Sequence, residues 1–142
     1  PVQFGLYAHK NYVNEMGTIQ STSDYSRHKY VLETNIPILP IRRWFDDNVK
    51  MENVCFRSSD LGTLDKAVID GIGIGLFPTF IASENNDLEL VMPLIDEWKT
   101  DLWVVKHIDI NRTAKIKACS DLIEKQAKLI LSQNLNNLEK SH

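Results

Sequence analysis

Apolar and polar positions change over in short blocks, and each block predicts an element. Val2 to Ala8 is short, apolar and aromatic, the signature of a strand. Asn11 to Met16 reads as one or two helical turns, closed by Gly17 in a position that tolerates positive φ. A second short helix opens at Ser23, with Ser21 or Ser23 as N-cap. Lys29 to Thr34 is β-branched and aromatic and predicts a strand. Pro37 and Pro40 mark a loop, and Pro40 suits the first turn of a helix over Ile41 to Asn48. Ile41, Trp44 and Phe45 give that helix an apolar face.

Asn53 to Arg57 predicts the next strand, and Ser58-Ser59-Asp60 a cap cluster. In the helix from Leu61 to Asp70, apolar residues recur at Leu61, Leu64, Ala67 and Val68, and Gly71 ends it. Ile72 to Pro78 is apolar or glycine at every position, the pattern of a central parallel strand buried on both faces. Thr79 to Ser83 suggests a helical turn. Leu88 to Met92 and Leu102 to Lys106 read as strands around a Pro93 to Thr100 loop. Asn111 is placed to cap a long helix from Arg112 to about Ser132, with Ile116, Cys119, Ile123, Ala127 and Ile130 as its apolar stripe. Residues 133–142 are polar and aperiodic and predict a frayed tail. Strands alternating with helices indicate the α/β class with a largely parallel sheet.

Composition narrows the function classes. The chain has 142 residues, a formal charge of −3 and 43% apolar types, so it is neither a disordered acidic tail nor a dedicated basic nucleic-acid binder. Two cysteines without a CxxC spacing supply no disulfide framework and point to a reducing compartment. Both Cys55 and Cys119 are expected as buried small hydrophobes. No window is long and apolar enough for a membrane span, and no export signal is visible. The absent initiator Met and a strand beginning at residue 2 predict a cytoplasmic chain whose start has been cut away.

Ligands of open α/β sheets bind beyond the carboxyl ends of strands, often at helix starts. Two places qualify: Arg57-Ser58-Ser59-Asp60 and Leu76-Phe77-Pro78-Thr79. The glycines of Gly71-Ile72-Gly73-Ile74-Gly75 do not form a dinucleotide fingerprint, because the third position is Leu76 and they precede a strand. A helix C-cap followed by close backbone packing explains them. Ser58 and Ser59 have no GxSxG context and no linked histidine, which argues against a nucleophile. They either cap the following helix or hold an anionic ligand group there. The histidines lack HxxxH or HxH spacing, so no metal is expected; His28 and His107 read as surface or hydrogen-bonded residues. Arg42 and Arg43 read as solvated beside core aromatics. No acid, base or nucleophile can be assembled, so no catalytic residue and no cofactor is assigned.

The order of these motifs resembles the C-terminal effector-binding domain of LysR-type transcriptional regulators. The matching pieces are Gly5-Leu6-Tyr7-Ala8 with Tyr12, then Asp24-Tyr25-Ser26-Arg27-His28-Lys29-Tyr30 where the family has "DL..H", then Asn53 to Leu61. The most specific is Ala67 to Pro78, similar to the family's "AV..G.GI..LP". Leu88 to Pro93, Leu102 to His107 and the closing helix complete the match over residues 2–125.

The resemblance implies a type 2 periplasmic-binding-protein-like fold: one complete α/β subdomain plus the C-terminal part of the other. Residues 1–8 would be the first crossover strand, 9–92 the effector-binding subdomain, and 93–132 the return crossover and first-subdomain remainder. Residues 133–142 would be the tail. The winged helix and linker helix would precede Pro1, so DNA would be contacted only through that absent part. The implied effector wall is Phe56, Arg57, Ser58, Ser59, Asp60, Leu76, Phe77 and Pro78, with Tyr7 and Trp103 near the crossovers. The ligand would be a small, anionic metabolite held by backbone N–H groups and serine hydroxyls. A solute-binding protein of a transport system is the alternative with the same fold. The unpartnered Ile116/Ile123/Ile130 face predicts a homodimer or larger assembly, by exchange of this element.

Overall fold

The seven residues from Val2 to Ala8 are apolar or aromatic apart from Gln3, and in the computed structural model they form, with His9, the strand β1 (Val2–His9), buried at all but Phe4 and His9. The model describes residues 1–103, 105 and 114–140, with side chains as far as 133. These residues divide into two compact units. One is residues 3–99; the other is residues 1–2 with the described part of 100–142.

In the larger unit, β1 is flanked on both sides. It runs antiparallel to β4 (Gly75–Pro78), with Phe4 opposite Pro78 and Tyr7 opposite Gly75, and antiparallel to β5 (Leu88–Leu90), with Tyr7 opposite Leu90. The short β6 (Lys99–Thr100) also pairs with β1. A second, parallel pair is formed by β2 (Tyr30–Glu33) and β3 (Val54–Ser58). Ile74 connects the two groups: its carbonyl accepts from Val31 N at 2.8 Å and its N–H donates to Lys29 O at 2.8 Å.

The sheet is therefore mixed rather than largely parallel. Within the expected parallel strand Ile72 to Pro78, only Ile74 bridges in parallel, Gly75–Pro78 runs antiparallel to β1, and Ile72 is 47% exposed. An apolar run reports burial on both faces; it carries no information on the direction of the neighbouring strand.

Each helix end has a local cause. His9 caps α1 (Lys10–Met16), its Nδ1 accepting from Asn11 N, and Gly17 closes it with φ 79°. The Ser21 region starts a 3₁₀ turn over Thr22–Arg27, one residue ahead of the expected helix, because Asp24 Oδ2 accepts from both Gln20 N and Ser21 N. Pro40 lies in the first turn of α2 (Leu39–Asn48), which buries Ile41 and Phe45. Asp60 caps α3 (Leu61–Ile69), which buries Leu64, Ala67 and Val68. A single turn, α4 (Thr79–Ala82), follows β4.

The glycines behave as packing residues. Gly71 ends α3 with φ 80°. A Cβ on Gly73 would stand 2.7 Å from Lys29 O, and one on Gly75 would stand 2.4 Å from Val68 Cγ2. Lacking a side chain, Gly73 and Gly75 let the chain lie close against Lys29 and α3.

Two apolar clusters flank the sheet. Leu6, Tyr30, Ile41, Phe45, Ile74 and Trp98 anchor one; Tyr7, Val31, Leu64, Val68 and Phe77 anchor the other. Trp98, from the expected loop, is 2% exposed and lies 5.2 Å edge-on from Trp44 and 6.3 Å stacked on Phe45. His28 is fully buried instead of at the surface, and is hydrogen-bonded as expected, with Nδ1 3.3 Å from Tyr12 Oη.

Both cysteines are exposed, contrary to expectation. Cys55 is exposed on β3, an edge strand, with its Sγ donating to Tyr30 O at 3.3 Å; Cys119 is exposed on α5 (Ala114–Lys140). That last helix passes Ser132 and takes in most of the expected tail. Residues 133–140 contain no Gly or Pro, so nothing in them stops a helix once begun. Leu102, Trp103 and Val105, from the expected strand, lie in no regular element; residues 104, 106, 107, 111 and 112 lie outside the described residues. No described helix is long and apolar enough to cross a membrane.

Candidate functional site

Where β2 ends and α3 begins, the larger unit leaves a cavity of about 40 Å³. Val31, Leu64, Val68 and Phe77 line it as part of the second apolar cluster. Leu32 and Glu33 from the end of β2, Ile36 beyond it, Leu61 and Asp65 from α3, and Gly75 and Leu76 from β4 complete the lining. The site lies past the carboxyl end of a parallel strand, where α/β sheets open a crevice between diverging connections.

The α3 start is organised by its own carboxylate. Asp60 Oδ2 accepts from Thr63 N at 2.7 Å and from Thr63 Oγ1 at 2.5 Å, and Leu64 N donates to Asp60 O at 3.2 Å. The two bonds from Thr63, the hydroxyl's first, hold the Asp60 carboxyl below the usual carboxylate range. Asp65 is half-buried, and burial pushes its carboxyl up, with the Asp60 charge adding in the same direction. Tyr7, buried behind Phe77 with rings edge-on at 6.3 Å, has its phenol pushed up to about 12 by burial.

The structure brings together some of the residues anticipated from sequence. Leu76 and Phe77 line the cavity, and Tyr7 backs it from the core. Phe56 is half-buried against the same cluster. Ser58, the last residue of β3, is half-buried: its Oγ accepts from Asp60 N at 3.0 Å and its carbonyl from Thr34 N at 2.9 Å. Ser59 is exposed on the bend that follows, and Pro78 is half-buried opposite Phe4.

Arg57 turns to a neighbouring cavity of about 110 Å³, where its Nη2 donates to Thr34 O at 3.1 Å. Arg42, Asp46 and Glu33 line that cavity as well. Trp103 belongs to the smaller unit. It is 80% exposed and borders a separate cavity of about 340 Å³ with Leu102, Ala127 and Leu131.

Sequence reasoning missed Glu33 and Asp65. Both carried a readable signal. Asp65 lies four residues after Leu61, on the face that otherwise presents apolar side chains, and Glu33 is the last residue of a strand that is apolar up to it. No group of three or more His, Cys, Asp or Glu suited to a metal occurs among the described residues.

With the geometry in place, comparison adds the family. The family model described as "LysR substrate binding domain" matches residues 1–128. No curated protein matches the chain. Among solved structures, the regulatory domain of CrgA from Neisseria meningitidis, a LysR-type transcriptional regulator, is similar at TM-score 0.60 and 19% identity. That match covers 88% of this chain and 64% of that one. The regulatory domain of AphB from Vibrio vulnificus is similar at TM-score 0.49 and 19% identity, covering 63% of this chain and 48% of that one. A solute receptor for L-cysteine from Neisseria gonorrhoeae is similar at TM-score 0.46 and 15% identity, covering 66% and 37%. The chain thus spans less than two thirds of the length of these structures.

Proposed function

The chain belongs to the LysR substrate binding domain family, and from that premise we propose that it is an effector-sensing part of a bacterial LysR-type transcriptional regulator. A small polar metabolite seats against the α3–β4 cavity, which forms one wall of a cleft between two α/β subdomains. Its binding biases the closure of that cleft and, through it, the arrangement of DNA-binding heads in the full-length protein. DNA is contacted only by those heads. The chain's own contribution is recognition and not chemistry.

The observation that carries this reading is the position of the cavity. It lies inside the family-matched segment, at the carboxyl end of β2 and the start of α3, with an apolar floor and a few polar groups at the rim. A ligand that binds only the folded state at a hundred times its Kd stabilises it by about 2.7 kcal/mol. The test is a thermal-shift screen of small polar metabolites on the chain and on Leu61→Trp, which fills the exposed rim. A compound that raises the melting temperature of the chain and not of the variant supports the reading. Stabilisation that persists unchanged in Leu61→Trp, or none from any compound, refutes it.

A further inference from the structure

The charge around the cavity restricts what it can hold. A helix N-terminus attracts an anion when its first N–H groups are free. At α3 the third of these is engaged from within, since Thr63 N and Oγ1 donate to the Asp60 carboxylate, which sets a negative charge at the helix start. The Ser58 hydroxyl accepts from Asp60 N. An incoming carboxylate would meet a negative charge where the sequence suggested donors.

The cavity itself repeats this bias. Its only ionisable lining groups are Glu33 and Asp65, both carboxyls and both half-buried; no Lys or Arg is among its lining residues. Arg57 is turned to the adjoining cavity, which Arg42 also lines, and is bonded to Thr34 O. Asp65 has no ion-pair partner among the described residues. A carboxylate partly removed from water, without a cation, is stabilised by any ligand that brings one. Burial, with the Asp60 charge adding to it, also raises the affinity of Asp65 for a proton.

Size agrees with this. A cavity needs about 10–15 Å³ to hold a group the size of a water molecule, and this one has about 40 Å³. It admits an ammonium head, with the carbon next to it resting on Val31, Val68 and Phe77.

We propose that Asp65 and Glu33 make this cavity selective for a primary-ammonium group of the effector and against a carboxylate. This rests on the effector-binding reading above and reverses the charge that the sequence alone suggests.

The experiment uses three probes of similar size: propylammonium, 1-propanol and propanoate. The whole chain carries ¹³C-labelled methyls, and the signals of Val31, Leu64 and Val68 are followed in titrations at neutral pH. The expected result is saturable shifts with propylammonium, weaker binding of 1-propanol and weakest binding of propanoate. Asp65→Asn and Glu33→Gln, each at a half-buried rim position, should each weaken propylammonium by about tenfold, the size of one charge-assisted hydrogen bond. Propanol binding should be unchanged in both, which shows that the cavity is intact. Propanoate binding as tightly as propylammonium, or variants that leave propylammonium unaffected, overturns the selectivity while leaving the cavity as a binding site. Failure of all three probes to shift these methyls overturns both the selectivity and the effector-binding reading.

Discussion

At the scale of single residues, His28 shows how burial rewrites a side chain's behaviour. The ring is fully buried, Nδ1 meets Tyr12 Oη, and Nε2 has no hydrogen-bond partner among the described residues. Burial pushes its pKa below the ordinary 6.5, the nearby Arg27 charge acts the same way, and Asp24 opposes both. The folded chain therefore holds the ring neutral while the unfolded chain takes up a proton first as pH falls. Stability from this group is complete above about pH 6.5 and is lost as pH drops from there toward the lower folded value, by at most about 1.4 kcal/mol per pH unit. Urea midpoints should fall between about pH 7.5 and pH 5.5. His28→Phe, whatever its midpoint at neutral pH, should flatten that dependence; an unchanged slope would show that His28 is not its source.

Elements owe their placement to side chains outside regular structure as much as to those within it. Trp98 is the main instance. It packs edge-on to Trp44 and stacked on Phe45, so it fastens α2 to the segment leading into β6. Its carbonyl also accepts from Phe4 N at 2.9 Å, which ties that segment to β1. Trp98→Ala should cost about 3–5 kcal/mol, the range for removing a large buried aromatic. Chemical denaturation monitored by circular dichroism would measure it, and a loss under about 1 kcal/mol would mean that the neighbouring rings refill the space.

The sequence marked Trp98 only as part of a loop, because a lone aromatic between a proline and a polar run has no periodicity to report. By contrast, the α3 face was legible from Leu61, Leu64, Ala67 and Val68, since helical spacing is itself the signal. The direction of β4 was not, because pairing is decided between elements far apart in the chain.

For the whole molecule, α5 raises the question of assembly. Leu122, Ile123, Leu129 and Ile130 are each more than a third exposed along one 27-residue helix. A row of exposed apolar residues of this length marks an interaction surface. We therefore expect self-association along α5, with a second copy as the partner. Sedimentation velocity should give a dimer whose population falls with dilution, and Ile123→Glu should shift it to monomer; a compact monomer at high concentration would contradict this.

The sequence by itself determined the class, the family and most helix and strand positions. Those follow from local periodicity, from caps such as Asp60 and stops such as Gly71, and from the order of short motifs. It also pointed to Leu76 and Phe77, which fall on the wall of the candidate cavity. Only the tertiary structure decided the mixed sheet, the burial of His28 and Trp98, and the charge facing the cavity. Each depends on which distant residues become neighbours. Asp65 and Glu33 are ordinary acids in the chain. They become a negative rim only when α3 folds back beside the end of β2, and Asp60 ceases to be a ligand donor's neighbour only when its carboxylate turns into its own helix.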